Sequence, residues 1–159
     1  MKAWNEGVAT LDLVPELSGA KLANADFRNA NLKDAPLSRA DLRGTDLTNS
    51  TLRAADLAEA ELQGATLRKA NLSGATLTRA RLGGGQTELS VSSLRGGDLS
   101  YADLRHLNLD RSDFRDANLT GANLSGAYLG GANLSRANFT NAILKDANLQ
   151  HVAAVGTNS

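Results

Sequence analysis

Few side chains in this chain of 159 residues are of types that could act in catalysis or bind a metal. Two histidines are present, His106 and His151, and neither has the spacing of zinc ligands. The chain has no cysteine, which excludes thiolate ligands, a thiol nucleophile and disulfide bonds. Carboxylates are abundant, but most Asp residues occupy a repeated position that Asn fills elsewhere, which indicates a polar structural role. We therefore predict no catalytic residue, no metal site and no cofactor, and hence no enzyme.

A glycine run, Gly83-Gly84-Gly85, is the other feature that could form a binding site. Such a run can cradle a phosphate when a Lys and a Ser or Thr follow it and a helix begins there. Neither the residues nor a helical pattern follows this run. Phosphate binding is therefore not predicted, and the glycines are interpreted as a conformational feature.

The elements that must position all these residues follow a strict period of five. From Leu22 to Leu82, and again from Leu89 to Leu149, every fifth residue is Leu or Phe, with 13 positions in each run. Two residues earlier lies a small residue in 25 of the 26 units, and in 19 of them it is Ala. The position between the two is Asp or Asn in 15 units. The unit is thus Ala-(Asp/Asn)-Leu followed by two polar residues or glycines.

This period fits neither an α-helix nor a flat strand. A helix would turn successive Leu residues by about 140°, which gives no apolar stripe, and a strand would alternate their faces because five is odd. A chain that turns a corner every five residues places the small residue and the Leu inward and the Asp or Asn outward. Four corners close a coil of 20 residues, so the sequence predicts an all-β solenoid of about six and a half coils.

The small residue is required because so narrow a coil cannot hold eight large side chains in each layer. This requirement explains why the chain has only three Phe, two Tyr and one Trp. Leu107 breaks the rule, and we predict local strain or a bulge around it.

The repeated Ala-(Asp/Asn)-Leu-x-x unit over residues 20–151 resembles the pentapeptide-repeat family. The segments Trp4-Asn5 and Pro15–Ala20 are similar to the lead-in of bacterial members of that family. The resemblance implies a right-handed quadrilateral β-helix. It also implies a possible function, because well-known members bind DNA gyrase and protect it from inhibitors by mimicking duplex DNA.

Three segments are predicted: an N-terminal cap over residues 1–16, the β-helix over 17–151, and a tail over 152–159. Between Leu82 and Leu89 the step is seven residues, so two residues are inserted within 83–88. We expect an outward bulge that leaves the faces in register. The bulge is either a recognition loop or a tolerated insertion between two halves of 13 repeats.

The candidate partner contacts are the bulge and two outward apolar residues that replace Asp or Asn. They are Gly83, Gly84, Gly85, Gln86, Tyr128 and Ile143. The alternative interpretation of Tyr128 and Ile143 is ordinary surface exposure. The tail covers the C-terminal end weakly, which suggests a homodimer through that end or, equally, a frayed terminus.

The charges of the chain argue against nucleic acid and membranes as partners. The 17 basic and 17 acidic residues cancel, and no predicted face departs from neutrality by more than two charges. A DNA mimic needs a strong field of one sign. No run is apolar enough to cross a membrane or direct secretion, which favours the cytoplasm. The sequence therefore favours a scaffold or regulator that binds another protein; a gyrase binder and an inert spacer are the alternatives.

Overall fold

The computed structural model describes residues 15–83 and 87–158. These residues contain no helix and no strand longer than one residue. Their backbone is paired instead by single-residue parallel bridges between positions 20 residues apart, from Lys21↔Asp41 to Asn138↔Asn158. Up to Asn148 the bridged residue is always the one before the Leu or Phe, so the chain passes four bridges before it returns to the same face. The predicted coil of 20 residues is confirmed.

The insertion widens one coil without changing the faces. Bridges that cross it join residues 22 apart, as in Thr66↔Glu88 and Arg81↔Asp103, and the spacing of 20 resumes at Glu88↔Asn108. The extra two residues are therefore absorbed at one corner, and the prediction that the bulge keeps the register is confirmed.

The core consists of stacked columns of Leu or Phe beside columns of small residues. The Leu and Phe residues of the repeat from position 27 to position 139 are buried, and most of them have no exposed surface. Ala60 and Ala80 are fully buried as well. Phe114 is the largest of the fully buried side chains. Because each layer stacks directly on the next, one continuous core runs along the axis.

The backbone explains why Asp and Asn recur between the small residue and the Leu. In the unit Ala40–Gly44, four of the five N–H groups donate to backbone carbonyls within the turn or in adjacent coils. The fifth, the N–H of Arg43, donates to Oδ1 of Asp41 at 3.3 Å. All 15 Asp and Asn residues at this position accept such a bond. The side chain thus satisfies the one donor that the coils leave unpaired.

Each corner requires a left-handed residue two places after the Leu or Phe. Nine glycines and 18 other residues have a positive φ, all in this place. Asn and Asp adopt this conformation readily, whereas a β-branched residue there is an outlier. Val91, with a φ of 60°, is the β-branched residue in the group. Its side chain is nearly half exposed, so packing does not compensate for the strain.

Replacing Val91 with Asn is expected to raise the free energy of unfolding by about 1 kcal/mol, because Asn tolerates a left-handed backbone and Val does not. Equilibrium urea unfolding followed by far-UV circular dichroism measures the change. Val155 is also exposed, but its φ is not positive. The control Val155→Asn is therefore expected to change stability by less than about 0.5 kcal/mol. An equal gain in both variants would contradict the strain explanation.

Leu107 differs from most other small positions in its hydrogen bonding, while the strain or bulge expected around it stays a prediction. Its side chain is fully buried in a column of otherwise small residues, where its neighbour in the preceding coil is Thr87. Elsewhere the N–H of the small residue donates to the preceding Leu, as Ala102 does to Leu99 at 3.1 Å; within the described residues, Leu107 forms no such bond with Leu104. The insertion lies immediately before Thr87, so the wider coil lies next to the oversized side chain.

The coils extend beyond residue 151, where the sequence placed their end. Ala153 and Asn158 both bridge to the preceding coil, and Gly156 has the left-handed φ of a corner. The boundary at 151 is therefore wrong. Ala154 takes the place of Leu in this last unit, which hides the period in the sequence. Apart from Pro15 and Glu16, the predicted cap lies outside the described residues.

Candidate functional site

Most charges on the walls of the solenoid neutralise one another. In four units the Asp before the Leu or Phe pairs with the Arg after it, for example Arg43 Nη2 with Asp41 Oδ2 at 2.7 Å. Other pairs join adjacent coils, such as Arg39 with Glu59 and Arg136 with Asp116. These pairs leave no continuous stripe of one sign along the described walls.

Some ion pairs join sequence neighbours and others do not. Lys33 and Asp34, adjacent in the chain, pair at 3.4 Å. Arg115 instead binds Asp113 in its own unit, while Asp116 accepts Arg136 from the next coil. Arg115 and Asp116 occupy the same two places in their unit as Lys33 and Asp34, but each binds another partner.

The carboxylates in these pairs are strongly acidic. Hydrogen bonds from the Arg28 side chain and backbone lower the pKa of Asp26 to about 2. Hydrogen bonding to Arg43 likewise lowers the pKa of Asp41 to about 2, even though its desolvation acts in the opposite direction. These groups therefore remain ionised at neutral pH, where each carboxylate pairs with its arginine.

The wall changes beside the insertion, where two grooves include the described residues on either side of it, Thr87 and Glu88 in one and Gly83 in the other. The first, which we call the acidic groove, has a volume of about 710 Å³. Its lining includes the two carboxylates of Glu88 and Asp110, beside His106 and Tyr128; the remaining residues are Gly64, Thr66, Thr87 and Asn108. Neither carboxylate forms an ion pair within the described residues.

The second, the basic groove, has a volume of about 510 Å³ and lies on the neighbouring face. It is lined by the guanidinium groups of Arg79, Arg81 and Arg105, by Asp103 and Tyr101, and by Gln63 and Gly83. Arg105 holds Asp103 through two short bonds, and this hydrogen bonding lowers the pKa of that carboxyl group.

Each groove contains one of the two tyrosines of the chain. Tyr101 is 61% exposed and Tyr128 is 54% exposed, although tyrosine buries its ring readily where a core can accept it. The ring of Tyr101 lies against Gly121 in the next coil, where a Cβ atom would clash with it. That contact positions the ring without covering it.

Tyr128 occupies a place where the fold favours Asp or Asn. The hydrogen bond that Asp or Asn would accept there is accepted by a side chain of the preceding coil. Tyr128 cannot accept the N–H of Gly130 as Asp or Asn would. Instead Oδ1 of Asp110, in the preceding coil, accepts that N–H at 2.7 Å. An aromatic residue that departs from the local rule and remains exposed is typical of a functional position rather than a structural one.

The structure brings only part of the predicted site together. Tyr128 lines the acidic groove and Gly83 the basic groove, but Gly83 is buried against Asp103 and presents no surface of its own. Ile143 is 49% exposed, two coils beyond Asp103 on the same face and outside both grooves. Gly84, Gly85 and Gln86 lie outside the described residues. The proposed self-association through the C-terminal end stays a prediction.

Sequence reasoning missed Tyr101 and the three arginines of the basic groove. Tyr101 lies in a turn, in the left-handed place, whereas the predicted contacts lie in the insertion or at the outward position beside the Leu. The available signal was its type, because the other residues in that place are mostly glycine, Asn, Asp or charged. Within 15–83 and 87–158, no cluster of three metal-binding side chains occurs, and no helix has the length and hydropathy of a membrane span.

The comparisons with known proteins agree with this architecture. No curated protein matches the sequence significantly. Among solved structures, HetL, a pentapeptide repeat protein involved in heterocyst differentiation regulation from the cyanobacterium Nostoc sp. strain PCC 7120, is 40% identical. The match covers 92% of this chain and 68% of HetL, with a TM-score of 0.69.

QnrB1, a plasmid-mediated fluoroquinolone resistance protein, is 19% identical to this chain, with a TM-score of 0.54. The match covers 89% of this chain and 87% of QnrB1, and at this identity it shows a similar fold alone. The family described as pentapeptide repeats matches residues 16–49, 45–84, 87–126, 98–135 and 122–158 in 8 copies. The five-residue period, the stacked bridges and these matches agree: the chain belongs to the pentapeptide-repeat family.

Proposed function

We propose that this protein is a non-enzymatic regulator that binds another protein through the wall around the insertion. The observation that carries the proposal is the exposure of both tyrosines in the two grooves beside the bulge. Tyrosine and arginine are enriched at the energetically dominant positions of protein interfaces. The rest of the described wall consists mainly of short polar side chains and paired charges, which offer a partner little. We further propose the right-handed quadrilateral form.

The likeness to HetL supports a regulatory role. HetL is described as involved in the regulation of heterocyst differentiation, and it is 40% identical to this chain. This chain spans about two thirds of the length of HetL. A regulator without catalytic groups acts by changing what its partner binds or does, and the two grooves supply the surface for that contact.

Mimicry of duplex DNA is a poorer explanation. A mimic presents unpaired carboxylates at the spacing of phosphates. Here Asp41, Asp103 and Asp113 each bind an arginine in their own unit. The likeness to QnrB1 concerns the fold alone at 19% identity.

The proposal is tested with the double variant Tyr101→Ser/Tyr128→Ser. The full chain and the variant are each immobilised and exposed to a lysate of the source organism, and bound proteins are quantified by mass spectrometry. We expect at least one protein to be recovered with the unsubstituted chain and reduced about 30-fold with the variant, since two interface tyrosines contribute about 2 kcal/mol or more. The recovered protein is then purified and its binding to both forms measured directly.

Val91→Asn is the matched control, because Val91 is exposed and lies outside both grooves. Binding that is unaffected by loss of both tyrosines would refute the proposal. A separate titration of gyrase supercoiling, with and without a fluoroquinolone, is expected to show no effect up to about tens of micromolar protein. Inhibition or rescue at lower concentrations would favour the gyrase function instead.

A further inference from the structure

We propose that the basic groove binds an acidic segment of the protein partner, with carboxylates held by Arg79 and Arg81 and main-chain N–H groups donating to Gln63. This inference rests on the proposed function, because it assigns the chemistry of the partner at one of its two grooves. The alternatives, an inorganic anion and a nucleic acid, are outcomes of the test below.

The arginines differ in how strongly the protein already binds them. Arg105 is occupied, with bonds of 2.8 Å from Nε and from Nη2 to Asp103. Arg81 has one long contact, 3.6 Å to Glu61, and Glu61 is shared with Arg43. Arg79 is exposed and forms no ion pair within the described residues. Two guanidinium groups are therefore available to an incoming anion.

The lining of the groove has an excess of positive charge. Three guanidinium groups face one carboxylate, that of Asp103, whereas the carboxylates of the acidic groove lie on the neighbouring face. A guanidinium group can donate two parallel hydrogen bonds to one carboxylate, which gives both strength and orientation. Elsewhere on the solenoid Arg43 and Arg115 bind carboxylates within the chain in this way. The same interaction is available to a partner at Arg79 and Arg81.

Gln63 distinguishes a peptide from a simple anion. Its side-chain Oε1 is buried, and among residues 15–83 and 87–158 it has no hydrogen-bond partner. A buried acceptor left without a donor is costly, so a ligand that brings a donor is favoured. The main chain of a peptide provides N–H groups beside its carboxylates. A phosphodiester provides only acceptors at its backbone, which is why we favour an acidic peptide over a nucleic acid.

The size and lining of the groove suit a short peptide segment. Gly83 forms part of the lining, and a Cβ atom there would lie 2.5 Å from Asp103 Oδ1 and 2.9 Å from the backbone N of Arg105. The glycine therefore lets the coil carrying Arg105 pack closely and leaves this part of the lining without a side chain. The volume of about 510 Å³ lies in the range of ligand-binding pockets. The exposed ring of Tyr101 adds an apolar contact at the same groove.

The test uses the full chain and a hexaglutamate peptide labelled with rhodamine, with binding measured by fluorescence anisotropy at about 0.15 M salt. We expect Arg79→Gln/Arg81→Gln to weaken peptide binding at least about tenfold. The matched control is Arg53→Gln/Arg68→Gln, which removes the same charge from two exposed arginines outside both grooves. The control is expected to change the dissociation constant less than about twofold. Circular dichroism and urea unfolding verify that both variants remain folded.

Three results would overturn the inference. One is an equal loss in the control, which would indicate general charge attraction. Another is tighter binding of a single-stranded DNA decamer or of inorganic phosphate than of the peptide. The third is no peptide binding by the unsubstituted chain up to about 1 mM. Because the proposed function is measured by tyrosine-dependent capture of a protein, it can survive any of these results, and its failure is recognised separately.

Discussion

Replacing Phe114 with Ala is expected to lower the free energy of unfolding by about 3–5 kcal/mol, the cost of emptying a site this large in a tight core. Phe114 has no exposed surface and is stacked between Leu94 and Leu134 in adjacent coils. A cavity there borders three layers at once, and a narrow coil with continuous hydrogen bonds has little freedom to collapse around it. Equilibrium urea unfolding, followed by far-UV circular dichroism, measures the loss.

Two further substitutions show whether the loss of stability in Phe114→Ala comes from the emptied core site. Phe114→Leu restores the residue most frequent in this place and is expected to cost less than about 1.5 kcal/mol. Tyr101→Ala removes an exposed aromatic ring and is expected to change stability by less than about 0.5 kcal/mol. A loss at Phe114→Ala as small as that at Tyr101→Ala would contradict the stacked core. A lower m-value would instead indicate that part of the solenoid unfolds separately.

The opposite change, Ala60→Leu, is expected to destabilise by about 1–3 kcal/mol through overpacking. Ala60 is fully buried, and its counterparts in the adjacent coils, Ala40 and Ala80, are also fully buried alanines. A larger side chain therefore has no neighbouring space to enter. The same urea titration measures the effect.

Ala58→Leu is the control, because it makes the same chemical change two residues away at an outward position. We expect it to alter stability by less than about 0.5 kcal/mol. Leu107 shows that a Leu can occupy a small position when the adjacent coil carries two extra residues. Equal tolerance at Ala60 and Ala58 would mean that the small residues are not required by packing.

The period of five predicted the coil because a single spacing determines both the corners and the stacking. Once the Leu positions are known, the pairing of Thr66 with Glu88 across the insertion follows from them. Neutral walls were predictable for the same reason, since each outward residue has a fixed place on a face. The end of the coils was missed because Ala154 and Val152 lack the residue types that mark the period.

The grooves could not be predicted from the pattern. They depend on how side chains outside the regular positions fold over the surface, as Tyr101 does over Gly121. The role of Asp and Asn was likewise interpreted only as an outward polar position. An outward position alone does not distinguish a solvated side chain from one that accepts the N–H two residues later. That contact depends on the backbone angles at the corner.

The bridges at a fixed separation of 20 residues have a consequence for how such a chain can change in length. A duplication or loss of 20 residues between two surface features keeps both on one face and moves them apart or together by one strand spacing, about 4.8 Å. A change of five residues instead transfers everything beyond it to the neighbouring face. The distance between two binding features and the angle between their faces can therefore vary independently through small duplications. The hydrogen bonds between coils continue through the added units.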